Sequence, residues 1–197
     1  DTCAILAAQG GHLKALKVLL EFVEKKHGER EAEGVLLETN EANGTTCALA
    51  AAGMGHQEVL SLVLDKCPQL VALKRHNGAS LAFVAAESGH LEVLEFLCEH
   101  PLGGPGMLGE PDHMGTTPAF VAAQNGHVAV LRYLLSQGGG RELFRPCEDG
   151  TTVAYAAAQQ GHVEAVDCIA EALQRLDGTP EEGWPDGWKA RIKGMLE

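Results

Sequence analysis

A Gly-His pair recurs five times along the chain, and each pair separates two segments with helical patterns. The pairs are Gly11-His12, Gly55-His56, Gly89-His90, Gly126-His127 and Gly161-His162. Successive histidines are 44, 34, 37 and 35 residues apart. A short Ala-rich segment precedes each pair, and a longer apolar segment follows it. A period of this length with two helices per unit is typical of a solenoid, in which each unit packs only on its neighbours.

The stretch 114–137 shows how one unit should fold. Thr117 is suited to the N-cap of a short inner helix, and Pro118 to its first position. Gly126 can adopt the left-handed conformation that ends a helix, and His127 then begins the outer helix. The apolar stripe of that outer helix contains Val128, Val130, Leu131, Leu134 and Leu135. Neither helix can bury its apolar residues alone, so the unit needs neighbours.

The segment GTTPAFVAAQNGHVAVLRYLL resembles the ankyrin repeat, whose pattern is G-x-T-P-L-H-x-A-A-x-x-G-H followed by an apolar second helix. The resemblance extends over roughly residues 1–175 and implies an all-α solenoid of paired antiparallel helices with hairpin turns between repeats. The predicted repeats are about 1–40, 41–74, 75–111, 112–146 and 147–180, the first of them truncated. Segment 181–197 does not repeat. It is predicted to be a capping helix, the start of a segment missing from this sequence, or a contact with another chain.

One departure from the ankyrin pattern is systematic. The family's Leu-His is replaced by an alanine and an apolar residue in the pairs Ala4-Ile5, Ala48-Leu49, Ala82-Phe83, Ala119-Phe120 and Ala154-Tyr155. In the family, the histidine bridges backbone groups of the turn, which an apolar side chain cannot do. We interpret the change as a small-for-large exchange that conserves volume inside the stack.

Two segments interrupt the repeat. A charged insertion follows the first outer helix at 27–34, and a Gly- and Pro-rich segment covers 101–114, where we expect an exposed loop. The second segment is either a tolerated insertion or a specificity loop carrying Met107 and Leu108. Leu36 and Leu37 are expected to dock the chain back on the stack after the first of these segments. Apolar residues seven positions before the turn glycines are expected to anchor the chain, namely Leu37, Val71, Leu108 and Leu143.

Composition excludes several classes of partner. The net charge of −12 argues against binding to nucleic acid or to an anionic membrane surface. No apolar run approaches the roughly 18 residues that a membrane-spanning helix needs. The six cysteines form no CxxC pair, so we expect them to be reduced in an intracellular setting, cytoplasmic or nuclear.

No pattern in the sequence predicts catalysis, a metal or a cofactor. There is no HExxH and no GxSxG. The five Gly-His histidines are expected to support the turn between helices, whereas His76 and His113 lie on hairpins and are candidates to face a partner. Four cysteines are expected to be buried or half-buried, namely Cys3, Cys47, Cys98 and Cys168.

The resemblance implies that a protein or peptide binds along the concave face. The contact positions of the family fall on the two residues before each turn glycine, the residue after it, and the pair before Gly-His. In the second and third repeats they are Ala42, Asn43, Thr45, Gly53, Met54, His76, Asn77, Ala79, Glu87 and Ser88. In the fourth and fifth repeats they are His113, Met114, Thr116, Gln124, Asn125, Glu148, Asp149, Thr151, Gln159 and Gln160.

We expect the binding hot spot near Met54, His76, His113 and Met114, where the bulk is concentrated. The sequence predicts a non-catalytic interaction module that is a monomer in isolation. Three alternatives stay open at this point. The chain can be the targeting or regulatory arm of a larger enzyme, it can be a structural spacer, or the groove can be no more than a solvated edge.

Overall fold

The computed structural model describes residues 2–137, 147 and 150–176. In this part of the chain there are eleven α-helices, two 3-10 helices and no strand, so the predicted all-α solenoid is confirmed. The inner helices are α1 Cys3–Gln9, α4 Cys47–Gly53, α6 Leu81–Ser88, α8 Pro118–Gln124 and α10 Val153–Gln159. The outer helices are α2 Leu13–His27, α5 Gln57–Lys66, α7 Leu91–Glu99, α9 Val128–Ser136 and α11 Val163–Leu176. Three further elements are α3 Glu29–Leu37 and the 3-10 helices Pro68–Ala72 and Pro105–Gly109.

The inner helices form one continuous layer, in which each packs on the inner helix of the next repeat. Alanine makes this close approach possible, because Ala48, Ala82, Ala119 and their equivalents are fully or almost fully buried. The outer helices α5, α7, α9 and α11 form a second layer. None of the helices described is both long and apolar enough to span a bilayer.

Every inner helix begins with a hydroxyl N-cap, as predicted for Thr117. The side-chain oxygen accepts a hydrogen bond from the backbone N–H three residues later, at 3.2–3.4 Å. The capping residues are Thr2, Thr46, Ser80, Thr117 and Thr152. The bonded N–H belongs to the residue that replaces the family's histidine, so the start of each inner helix is fixed without an imidazole.

The Gly-His pairs join successive repeats. As predicted, Gly126 has a left-handed backbone, with φ of +74°. The histidine rings were expected to support the turn between helices, and three of them do so at the turn of the preceding unit. The Nε2–H groups of His56, His90 and His127 donate to the carbonyls of Gln9, Gly53 and Glu87 at 3.0, 3.1 and 3.1 Å. Each ring therefore satisfies a carbonyl at the end of the preceding inner helix.

The charged insertion at 27–34 is not an irregular segment. Its residues from Glu29 onward form most of α3, which packs against α2. Ala32 and Leu36, four residues apart, are buried, while Glu29 and Glu31 face solvent in the first turn. Leu36, which was expected together with Leu37 to dock the chain on the stack, is buried, whereas Leu37 is only half-buried.

The expectation of an exposed loop at 101–114 is wrong for its centre. Pro105–Gly109 forms a 3-10 helix that contacts α6, α7 and α8, and Leu108 is buried. Proline at the first position permits this helix, because its missing N–H has no partner to lose there. Leu108 is therefore the predicted anchor and cannot act as a specificity residue.

The first repeat is exposed at positions where each later repeat is buried against the repeat before it. Leu6 is exposed, whereas its equivalents Ala50, Val84 and Val121 are buried against the preceding repeat. The same reason corrects the expectation for Cys3, which is exposed, while Cys47 at the equivalent position is fully buried.

We predict a large difference in alkylation between these two thiols. The Cys47 thiol donates to the Leu36 carbonyl at 3.3 Å, and burial raises its pKa to about 12. At pH 7.5 it is protonated and shielded, so N-ethylmaleimide should modify Cys3 at least about tenfold faster. Peptide mapping by mass spectrometry after timed quenching measures both sites. A Cys3→Ser variant should lose the first label, and equal rates at both sites would contradict the packing of α4.

Candidate functional site

We call one side of the solenoid the hairpin face. It is formed by the turns that precede the inner helices and by the ends of those helices. Backbone hydrogen bonds link its turns directly. His76 N–H donates to the Asn43 carbonyl, and His113 N–H donates to the Asn77 carbonyl, both at 2.9 Å. The hairpin face is therefore a continuous, hydrogen-bonded scaffold from the second repeat to the fourth.

Several predicted contact residues also build the turns. The side-chain oxygens of Asn43 and Asn77 accept N–H groups two residues later, at 3.1 and 3.2 Å. The rings of His76 and His113 lie against the turn glycines of the preceding repeat, where a Cβ on Gly44 or Gly78 would meet each ring at 2.5 Å. All four residues are still exposed at one edge. They can touch a partner, but replacing them also perturbs the stack.

Two predicted contact positions are wrong. Thr45 and Ala79, each directly after a turn glycine, are buried. Each precedes the N-cap of its inner helix, where the chain already enters the stack, so neither is available to a partner. Thr116, at the equivalent position of the fourth repeat, is half-buried.

The ends of the inner helices supply the other predicted contacts. Met54, Ser88 and Asn125 are exposed, while Glu87 and Gln124 are half-buried. Gln159 and Gln160 are exposed on the fifth repeat, and Ala42 is exposed on the second. Glu148 and Asp149, like segment 181–197 and Leu143, lie outside the described residues.

Glu87 joins the third and fourth repeats. Arg75 Nη1 donates to Glu87 Oε2 at 3.3 Å, and Asn125 Nδ2 donates to the Glu87 carbonyl at 2.8 Å. His127 donates to the same carbonyl at 3.1 Å. The ion pair is partly exposed and contributes little to stability, but it neutralises the charge of Arg75 on the hairpin face.

A groove of about 460 Å³ opens between the fourth and fifth repeats. It brings together five predicted contact residues, Met114, Thr116, Gln124, Thr151 and Gln159. Met54 and His76 lie outside it, in the second and third repeats. Phe120 and Tyr155 also line the groove, and they were missed as site residues because both were expected inside the stack. Phe120 is almost buried, but Tyr155 is 44% exposed, which corrects that expectation for the fifth repeat.

The described residues offer no evident reactive centre. They contain no group of three or more His, Cys, Asp or Glu side chains that could hold a metal ion. Burial raises the pKa of the Cys67 and Cys168 thiols, which makes both poor nucleophiles. The pKa of Tyr133 is also raised, by burial and by a hydrogen bond with Cys98.

Sequence comparison agrees with this architecture. A family model described as ankyrin repeats (three copies) matches residues 4–107 and 105–179. The chain belongs to the ankyrin-repeat family. No curated protein shows a significant match to the sequence. Ankyrin repeats generally act as protein–protein interaction modules and are typically non-catalytic.

Proposed function

We propose that this ankyrin-repeat chain binds a partner protein or peptide on its hairpin face, without catalysis, as a monomer inside the cell. One observation carries the proposal. Large apolar side chains are exposed at predicted contact positions, with Met54 at 54% and Met114 at 66%. Exposed apolar groups on a fixed scaffold are typical of interaction sites. Burying these groups favours association, and a scaffold that is already ordered loses little conformational entropy on binding.

Charge supports a protein rather than a nucleic acid as partner. The chain carries a net charge of −12, and the one arginine on the described hairpin face, Arg75, is paired with Glu87. A phosphate backbone would find no cationic surface there. The same face would serve a targeting or regulatory arm of a larger enzyme, which stays the alternative.

A pair of double variants tests the proposal. Met54→Glu with Met114→Glu places charge on the hairpin face, at exposed positions outside the core. Val18→Glu with Phe22→Glu is the matched control on α2, where these side chains are 66% and 60% exposed. Immobilised native chain and both variants are incubated with cell extract, and retained proteins are quantified by mass spectrometry.

We expect a specific partner to be retained by the native chain and the α2 variant, and to fall by more than about tenfold with the hairpin-face variant. Circular dichroism should show that all three proteins are equally folded. Equal loss with both variants, or no loss with the hairpin-face variant, would overturn the assignment of this face.

A further inference from the structure

The groove between the fourth and fifth repeats has features that define what it can bind. Its apolar lining comes from Met114, Phe120 and Tyr155, two of which stand where the ankyrin pattern has histidine. At this repeat position Leu49, Phe83 and Phe120 are buried, whereas Tyr155 is exposed. Among the described repeats, the residue that replaces the family's histidine is therefore exposed in the fifth repeat alone, where it lies beside the exposed Met114.

The described lining of the groove is uncharged. None of the described residues that line it is Asp, Glu, Lys, Arg or His. A charged side chain entering it would lose water and gain no opposite charge, which is costly. An uncharged apolar side chain would instead bury its surface against the aromatic rings.

Polar groups lie beside the apolar lining. The amides of Gln124 and Gln159 line the groove, and each amide offers both donors and an acceptor. A peptide main chain has the complementary N–H and C=O groups. The groove volume of about 460 Å³ is sufficient for a side chain together with adjoining main chain.

We propose that this groove is a socket for one uncharged apolar side chain, aromatic or large aliphatic, of an extended partner segment. Gln124 and Gln159 bind the main chain beside it. The assignment rests on the proposed function, since it names the chemistry that the hairpin face recognises between these two repeats.

Titration with blocked tripeptides tests the socket. The probes are acetyl-Gly-X-Gly-amide with X as Trp, Leu, Lys or Glu, added to ¹⁵N-labelled full chain and followed by NMR. We expect the Trp and Leu probes to shift the amide signals of Thr116, Gln124 and Ala156. The Trp probe should bind at least about tenfold more tightly than the Lys and Glu probes.

Variants identify the side chains responsible. Met114→Ala and Tyr155→Ala should each weaken binding of the Trp probe by about fivefold or more, whereas Val18→Ala, at an exposed position on α2, should not change it. Equal affinity for Trp and Lys probes, shifts that map elsewhere, or no shifts at all would overturn the socket.

The two proposals can fail separately. If the probes miss the groove but the hairpin-face variant still loses its partner, only the socket is wrong. If the Trp probe binds in the groove and the hairpin-face variant keeps its partner, the proposed function is wrong, and the socket is an apolar site without that role.

Discussion

Replacement of Gly89 by alanine should lower the free energy of unfolding by about 3 kcal/mol. Gly89 has φ of +83°, and the left-handed backbone costs a residue with a Cβ roughly 1–2 kcal/mol. The new Cβ would also lie 2.6 Å from His127 Nδ1, so the ring must move away. Its hydrogen bond to the Glu87 carbonyl, which contributes about 1 kcal/mol, is then lost.

Gly161→Ala is the matched control for this prediction. Gly161 occupies the same repeat position with φ of +75°, and no described atom lies within 4 Å of a Cβ built there. Its replacement should lower the free energy of unfolding only by the cost of the left-handed backbone, roughly 1–2 kcal/mol. Urea unfolding followed by circular dichroism measures both variants, and the difference between them reports the contact between repeats. Equal losses would show that the histidine ring contributes nothing to stacking.

The repeat register could be predicted from the sequence because local sequence signals determine it. A hydroxyl cap, a small-residue inner helix and a left-handed glycine each act within a few residues, and all of them recur in phase. Even the exposure of Met54 and Met114 followed from register alone, since each position of a repeat has a fixed direction in the stack.

Contacts that depend on tertiary packing were not predictable in this way. The segment 27–34 is rich in charge and gave no reason to expect α3, which is stabilised by burying Ala32 and Leu36 against its neighbours. Their spacing of four residues was a weak signal of an amphipathic helix. Thr45 was wrongly predicted to contact a partner for a similar reason. The repeat register gives its position in the turn but not how deeply the neighbouring hairpin buries it.

The groove between the fourth and fifth repeats shows the same limit on prediction. Replacement of histidine by an apolar residue was visible in all five repeats, and the sequence favoured burial in each case. Burial holds for Ile5, Leu49, Phe83 and Phe120, yet Tyr155 is 44% exposed. The side chains of two adjacent repeats together determine whether the residue at the histidine position is buried in the stack or lines a groove. A sequence pattern within one repeat does not contain that information.

Leu108→Ala should destabilise the chain by about 3 kcal/mol, although Leu108 lies in a segment rich in glycine and proline. Its side chain is only 3% exposed, and the 3-10 helix that carries it contacts α6, α7 and α8. The segment is fixed at its start, where Gly104 N–H donates to the Leu97 carbonyl at 3.1 Å. Truncation should therefore leave a cavity between the third and fourth repeats that the fixed backbone cannot close.

Leu102→Ala provides the comparison within the same segment, since Leu102 is 42% exposed. The same atoms are removed, but little buried apolar surface is lost. The free energy of unfolding should therefore fall by less than about 1 kcal/mol. Urea unfolding of the two variants under identical conditions measures the difference. A loss for Leu108→Ala as small as that for Leu102→Ala would mean that the segment is the exposed insertion its composition suggests. A large loss for Leu108→Ala alone would show that this insertion is part of the core on which the hairpin face is built.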